Sequence, residues 1–230
     1  MGTWWLRPLT FLQKTGDGRY AAINTENVGI GMGEHLAFNA SVPLAPYQTE
    51  NYFQQQQYWF KWEFAHDWNT YSLAGQSYGL EARFVDQTNE NKEGLFFLAH
   101  NRFKRLQYYA QLGAFSPNPV ENGAVLPQTV NGAIFNYDFS LEHTLTDSAN
   151  AGYILEAFGQ NQSNFSFYGK TNAPSWDYLL IAPEFEFDWP NTRSFALAWQ
   201  AGVFIPVYVH NYVYGLMPVL SMISHFNWGD

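Results

Sequence analysis

The feature that most constrains this chain is a strict alternation of apolar and polar residues in which the apolar residues are mostly aromatic. Residues 57–64 read QYWFKWEF, and residues 135–142 read FNYDFSLE. Because successive side chains of a β-strand point to opposite faces, each segment predicts a strand with one apolar and one polar face. A soluble sheet buries the apolar face, whereas a membrane barrel turns it to lipid and lines its lumen with the polar face.

The composition favours the membrane barrel. Of the 230 residues, 19% are aromatic and 13% are charged, whereas about 25% are charged in a typical globular domain. A surface that meets lipid needs little charge and places aromatic residues at the headgroup level. No run approaches the roughly 18 apolar residues of a transmembrane helix, so a helical span is not expected.

Alternation and turn signals together predict about twelve strands in one domain that spans residues 1–230. The predicted strands are 4–12, 18–31, 35–43, 56–66, 70–85, 94–101, 105–115, 129–144, 149–160, 177–187, 194–206 and 213–227.

The predicted connections alternate in length along the chain. The long ones are 44–53, 86–93, 116–128 and 160–175, and the short ones are 32–34, 67–69, 102–104, 146–148 and 189–191. Short turns on one side, longer loops on the other and an even strand number are typical of bacterial outer-membrane barrels. The predicted fold class is therefore all-β, an antiparallel transmembrane β-barrel.

Several segments also resemble one family. Near the start, Arg7-Pro8-Leu9 precedes a glycine-rich turn at 16–18 and a hairpin made of residues 24–30 and 36–44. The later segments are 139–148, 180–187 and Ile205-Pro206-Val207. In these motifs the chain resembles the outer-membrane β-barrel family named after the meta-pathway of phenol degradation. The resemblance implies a bacterial outer-membrane location and uptake of hydrophobic compounds.

The polar faces of the predicted strands supply the candidate functional residues. If the aromatic faces meet lipid, the predicted lumen-lining residues are Lys61, Glu63, Glu81, Arg83, Asp138, Glu142, Glu156, Glu184 and Glu186. Because rings of carboxylates select cations, this set predicts a passage that favours cations. The alternative is an interior filled by hydrogen-bonded ion pairs, since barrels of about eight strands are filled by side chains and those of 16–18 leave a channel.

Catalytic and metal sites are not expected. A serine mechanism needs a serine, a histidine and an orienting group in contact. Ser224 and His225 are adjacent, so a strand points them to opposite faces. The spacing of His66 and Asp67 matches no established ligand pattern, and the chain has no cysteine. We therefore expect no enzyme activity, no metal and no cofactor.

Three functions remain open. The first is an outer-membrane channel or transporter for small solutes, with hydrophobic and cationic solutes as candidate classes. The second is a closed structural barrel that binds outer-membrane partner proteins without transport, and the third is a soluble ligand-binding β-barrel. The expected partners are membrane lipid and small solutes, whereas a net charge of −9 without a basic patch argues against nucleic acid.

Overall fold

The computed structural model describes residues 2–14, 20–32, 35–43, 56–69, 74–87, 90–116, 129–130, 133–145, 151–162, 171–172, 175–192, 194–211 and 215–228. The strands are β1 (Gly2–Lys14), β2 (Tyr20–Gly31), β3 (Leu36–Pro43), β4 (Gln56–Asn69), β5 (Ala74–Gln87), β6 (Glu90–Phe103), β7 (Leu106–Phe115), β8 (Thr129–Val130), β9 (Ile134–Thr144), β10 (Ala151–Gln162), β11 (Thr171–Asn172), β12 (Asp177–Asn191), β13 (Phe195–His210) and β14 (Met217–Trp228).

Within these described residues, twelve strands form one closed barrel, in the order β1-β14-β13-β12-β10-β9-β7-β6-β5-β4-β3-β2. Each strand pairs antiparallel with its neighbours, and β1 closes the ring against β14. The two short strands β8 and β11 pair in parallel outside the ring. Closure matters because it leaves no sheet edge with unpaired backbone groups. No helix long and apolar enough to cross a membrane occurs in the part of the chain described.

The predicted all-β antiparallel fold is confirmed, but three predicted connections are wrong. Residues 67–69 belong to β4 and 189–191 to β12, while most of 86–93 belongs to the β5–β6 hairpin, where Gln87 lies opposite Glu90. These segments read as turns because they contain turn-favouring residues such as Asn69, Pro190 and Asn191. Cross-strand pairing overrides that local preference, as where Asp67 pairs with Gln76. The predicted loop 44–53 lies outside the described residues.

The connections divide between the two ends of the barrel, as an antiparallel order requires. Those after β1, β3, β5, β7, β10 and β13 lie at one end, which we call the loop end. Those after β2, β4, β6, β9 and β12 lie at the opposite end, which we call the turn end. The pair β8–β11 joins two loop-end connections, those that follow β7 and β10.

The two faces of the wall differ in polarity. The outer face exposes large apolar side chains, including Trp62 (52% exposed), Phe139 (46%) and Leu155 (52%). The buried polar side chains are mostly on the inner face, including Asn39, Glu81, Asn136, Glu184, Gln200 and Ser221. A soluble barrel would show the opposite arrangement, because it buries its apolar side chains and exposes its polar side chains to water.

Candidate functional site

All nine residues predicted to line the lumen lie on the inner face. Cross-strand pairing fixes this face: Lys61 is opposite Glu81, and Asp138 is opposite Gln111. Further round the ring, Glu156 lies opposite Ser140, and Glu186 lies opposite Gln200. The strand register alone therefore places these residues on one face. That these side chains line a path for solute remains a prediction.

A polar cavity of about 210 Å³ opens from the inner wall of β4 to β9. It brings four of the nine residues together: Lys61, Glu63, Glu81 and Asp138. The other polar side chains around it are Ser77, His100, Tyr109, Gln111 and Ser140. Here one cation, three carboxylates and several hydrogen-bonding groups face one space, which is the chemistry expected of a polar solute site.

Arg83 and Glu81 form an ion pair beside this cavity. The Nη2 and Nε atoms of Arg83 donate to Glu81 Oε1 at 2.5 and 3.0 Å, and Gln111 Nε2 donates to the same oxygen at 3.0 Å. The guanidinium carbon lies 4.5 Å from the ring centre of Phe96 and 5.7 Å from that of Trp59. Arg83 is therefore held by one acid and two aromatic rings, and it offsets the charge of Glu81.

Two further carboxylates are held by amides. Gln107 Nε2 donates to Glu142 Oε2, and Gln200 Nε2 donates to Glu184 Oε2. Ser221 Oγ in turn donates to Gln200 Oε1 at 3.0 Å, which orients that amide. An amide donor stabilises a carboxylate without carrying net charge, so these contacts leave the negative charge of the two acids in place.

Among the side chains that the structure describes, the sequence analysis missed three charged residues of the inner face. Lys92 and Arg102 share the inner face of β6 with Phe96, and Asp188 shares that of β12 with Glu184. Strict counting of alternate positions along each strand would have found them. With these residues added, the described carboxylates of the inner face still outnumber the cations.

An apolar layer at the loop end is the larger omission. One buried cluster contains Val85, Phe96, Phe115 and Ile134, and a second contains Tyr178, Leu180 and Met217. Trp176 packs against both clusters. We use the name apolar layer for these eight residues. On β9 and β12 the inner face changes from apolar to acidic along the strand, as from Leu180 to Glu184. The sequence does show this change from apolar to acidic residues along one face of the strand. Alternation alone does not report it, because alternation assigns residues to a face and not to a level along the barrel.

The structure offers no support for catalysis at the residues considered. Ser140 lies on the inner face and exposed His143 on the outer face, and Ser224 Oγ donates to the backbone oxygen of Leu6. Residues 75–79 match the pattern G-x-S-x-G, yet they lie inside β5 and not at the strand-to-helix turn of a hydrolase. Among the described side chains, no group of three or more His, Asp and Glu residues could hold a metal.

Comparison with known proteins identifies the fold class. No protein-family model matches the chain, and no curated protein matches it significantly. Among solved structures, it is similar to the NanC porin, with 10% identity and a TM-score of 0.60 over 97% of this chain and 100% of the other. An outer-membrane channel from Pseudomonas putida F1 is 7% identical, with a TM-score of 0.63 over 98% and 95% of the two chains.

The KdgM porin is a third similar structure, with 6% identity and a TM-score of 0.55 over 98% of this chain and 99% of the other. A further KdgM structure is described as a complex with disordered oligogalacturonate, and its TM-score is 0.53. The chain therefore has the all-β fold of outer-membrane porins. At these identities the likeness shows the fold, and the function has to be argued from the site.

Proposed function

We propose that this chain is a channel of the bacterial outer membrane that admits small solutes, and that its barrel is a single domain. The observation that carries the proposal is the polarity of the closed wall. Apolar side chains such as Trp62 and Phe139 cover its outer face, while carboxylates and amides cover its inner face. This is the arrangement of a barrel that meets lipid outside and water inside. The porin fold supports the same conclusion.

The lumen-lining residues in this proposal are the nine predicted from the sequence together with Lys92, Arg102 and Asp188. Their excess of carboxylates favours cationic or neutral solutes over anions. An acidic solute, such as the oligogalacturonate of the KdgM complex, is disfavoured here for the same reason. The resemblance to the phenol-degradation family adds hydrophobic compounds as a second solute class.

A closed barrel without transport is the second candidate function. The apolar layer supports it, because buried residues such as Phe96 and Leu180 occupy the inner face where a water-filled channel would carry polar groups. In that case the barrel would act through partner proteins in the outer membrane. Enzyme activity has no support in the side-chain arrangement, so neither candidate includes it.

Reconstitution into planar bilayers and liposomes tests the proposal. A channel predicts discrete conductance steps in the bilayer and swelling of liposomes in small neutral sugars or small organic cations. Folding is verified in the same preparation by a shift in gel mobility on heating. Folded protein that neither conducts nor swells liposomes with any of these solutes would contradict the channel and leave the closed barrel as the better candidate.

A further inference from the structure

Charge is unevenly distributed round the inner face of the barrel. Of the described side chains, every Lys and Arg on this face belongs to β4, β5 or β6, namely Lys61, Arg83, Lys92 and Arg102. These outnumber the two acids of the same strands, Glu63 and Glu81. The described charged side chains on the inner face of β9, β10 and β12 are all acidic, namely Asp138, Glu142, Glu156, Glu184, Glu186 and Asp188. Between these two sectors, the described inner face of β7 carries no charged side chain.

The polar cavity of about 210 Å³ lies across this boundary. Lys61 of β4 lies at one side of it and Asp138 of β9 at the other, with Tyr109 and Gln111 of β7 between them. Tyr109 faces inward and is 42% exposed, so its ring is open to solute in the lumen. The cavity is smaller than the roughly 300–1,000 Å³ pockets that hold drug-sized ligands, so its occupant is a small molecule of a few heavy atoms.

Lys61 is available to an anionic group of a solute. It is exposed on the inner face, and no described side chain forms an ion pair with its ammonium group. Glu81, which lies opposite Lys61, is already engaged, because its Oε1 atom accepts three hydrogen bonds from Arg83 and Gln111. The three N–H donors of a lysine ammonium group form strong hydrogen bonds with a carboxylate. Lys61 therefore favours a solute that carries a carboxylate.

Asp138, at the other side of the cavity, favours a cationic donor. Its Oδ1 atom is buried and has no hydrogen-bond partner among the described residues. Glu156 on the next strand, β10, forms a hydrogen bond with Asp138, so a proton lies between two carboxyl groups. An ammonium group can replace that proton, because it donates to both carboxylates and offsets their mutual repulsion.

From this arrangement we infer that the cavity binds small zwitterions, with the solute carboxylate at Lys61 and the solute ammonium group at Asp138. The inference rests on the proposed channel function and names its solute class. A simple anion would meet the three carboxylates of the cavity, and a simple cation would be repelled by Lys61. A solute that carries both charges is attracted at both sides, and the field between the two sectors of the wall orients it.

The test uses three isomers that carry no net charge. L-alanine and β-alanine are zwitterions with different charge separations, whereas L-lactamide has no charged group. L-alaninamide is added because it keeps the ammonium group of alanine and lacks the carboxylate. Uptake of each radiolabelled solute into liposomes that contain the folded barrel is measured at low solute concentration, and conductance is measured in planar bilayers with the same preparation.

Two variants remove the charges assigned to the site, and two controls remove charges elsewhere. Lys61→Gln and Asp138→Asn change the two sides of the cavity. Lys104→Gln changes an exposed residue of the β6–β7 turn, and Glu93→Gln changes an exposed residue of the outer face. Heat-dependent gel mobility shows which variants are folded. Because Lys61 is exposed, Lys61→Gln keeps the test open if Asp138→Asn does not fold.

The site predicts that the unmodified barrel takes up both zwitterions several-fold faster than L-lactamide and L-alaninamide. Lys61→Gln and Asp138→Asn should each reduce zwitterion uptake to the rate of L-lactamide, whose own uptake should not change, and the two controls should have no effect. Equal uptake of the three isomers, faster uptake of L-alaninamide, or a zwitterion preference that survives Lys61→Gln would overturn the site while the channel stands. If folded protein neither conducts nor takes up any of the solutes, the site and the channel proposal both fail.

Discussion

At the scale of single residues, the inner face depends on contacts that satisfy buried charge. Glu81 is 5% exposed, and its carboxylate receives hydrogen bonds from Arg83 and Gln111. A buried ion pair adds little net stability over an apolar pair, because both charges lose their water. Removal of one partner is costly, since it leaves the other charge buried without compensation.

We therefore expect Arg83→Gln to lower the free energy of unfolding by about 3 kcal/mol, because Glu81 would remain charged and buried. Adding Glu81→Gln to that variant should restore part of the loss. Urea unfolding in lipid vesicles, followed by tryptophan fluorescence, measures the free energy of unfolding of the single and double variants. If the double variant is as unstable as the sum of the two single variants, the two side chains are not coupled.

Gly113 shows how closely the inner face is packed. It lies opposite Phe96, and a Cβ added there would overlap the Phe96 ring and the backbone oxygen of Leu95. Phe96 is 1% exposed, so its ring is enclosed by neighbouring side chains. Glycine is thus required at this position by the close approach of a large buried ring.

Gly113→Ala is expected to destabilise the barrel by about 1–3 kcal/mol through overpacking. Gly152→Ala is the control, because the nearest atoms to its Cβ would be Glu142 Oε1 and the His143 backbone oxygen, each at 3.3 Å. The Glu142 carboxylate is the end of a flexible side chain and can shift. The same urea titration should give a clearly smaller loss for Gly152→Ala, and equal losses would argue against the tight Phe96 contact.

At the scale of strands, each element carries one apolar and one polar face. In β9, Phe135 and Phe139 are exposed on the outer face, while Asp138 and Ser140 face inward. Aromatic pairs across neighbouring strands, such as Tyr108 with Phe139 at 6.1 Å between ring centres, continue the outer band from strand to strand. A one-residue slip would invert every one of these side chains, so the apolar outer face helps to fix the register.

Phe139→Arg tests this face directly. Phe139 lies near the middle of β9, and a charge there would meet the centre of the bilayer, so we expect a loss of about 2–4 kcal/mol. Ser140→Arg places the same side chain one residue further on the inner face, near Glu156, and should cost much less. Unfolding in vesicles of defined lipid gives both values, and a greater loss for Ser140→Arg would reverse the assignment of the faces.

Alternation predicted the strands well, because residues paired across neighbouring strands share a face and the register is regular over most of the ring. The assignment of Lys61, Glu142 and Glu186 to one face needed only the parity of their positions. The apolar layer was not predicted, because Tyr178 and Leu180 have the same parity as Glu184. Whether the inner face is apolar at one end of a strand depends on the side chains of other strands that pack against it. Contacts such as that of Trp176 with the Phe96 cluster join segments far apart in the sequence.

At the scale of the whole molecule, the antiparallel order assigns every connection to one of two ends. Outer-membrane barrels keep short turns on the periplasmic side and longer loops outside. The longest stretch of sequence between consecutive barrel strands, residues 116–133 between β7 and β9, joins strand ends at the loop end. The first residue of β1 and the last residue of β14 lie at the turn end. The loop end should therefore face the medium and the turn end the periplasm.

Single introduced cysteines test this orientation, because the chain contains none of its own. Ser116 is exposed at the loop end, and Lys104 is exposed in the β6–β7 turn. A maleimide that cannot cross the outer membrane should label Ser116→Cys in intact cells and should label Lys104→Cys only after permeabilisation. Labelling of Lys104→Cys alone in intact cells would show that the barrel is inserted the other way.

The net charge of the inner face gives the last prediction. Its described carboxylates include Asp138, Glu142, Glu156, Glu184 and Glu186, and the low-dielectric wall concentrates their field on a permeating ion. Any conducting state should therefore prefer cations. The preference should weaken with salt, because the Debye length falls from about 10 Å at 0.1 M to about 3 Å at 1 M.

Replacing Glu184 and Glu186 with Gln tests the source of this selectivity. The change removes charge but keeps the side-chain shape, and Gln200 can still donate its hydrogen bond to an amide oxygen at position 184. Glu93→Gln removes one carboxylate charge from an exposed residue on the outer face and should leave selectivity unchanged. Reversal potentials in a salt gradient should shift toward zero in the double variant alone. An anion preference in the unmodified protein would contradict the carboxylate assignment, because a lumen with excess negative charge cannot favour anions by its field.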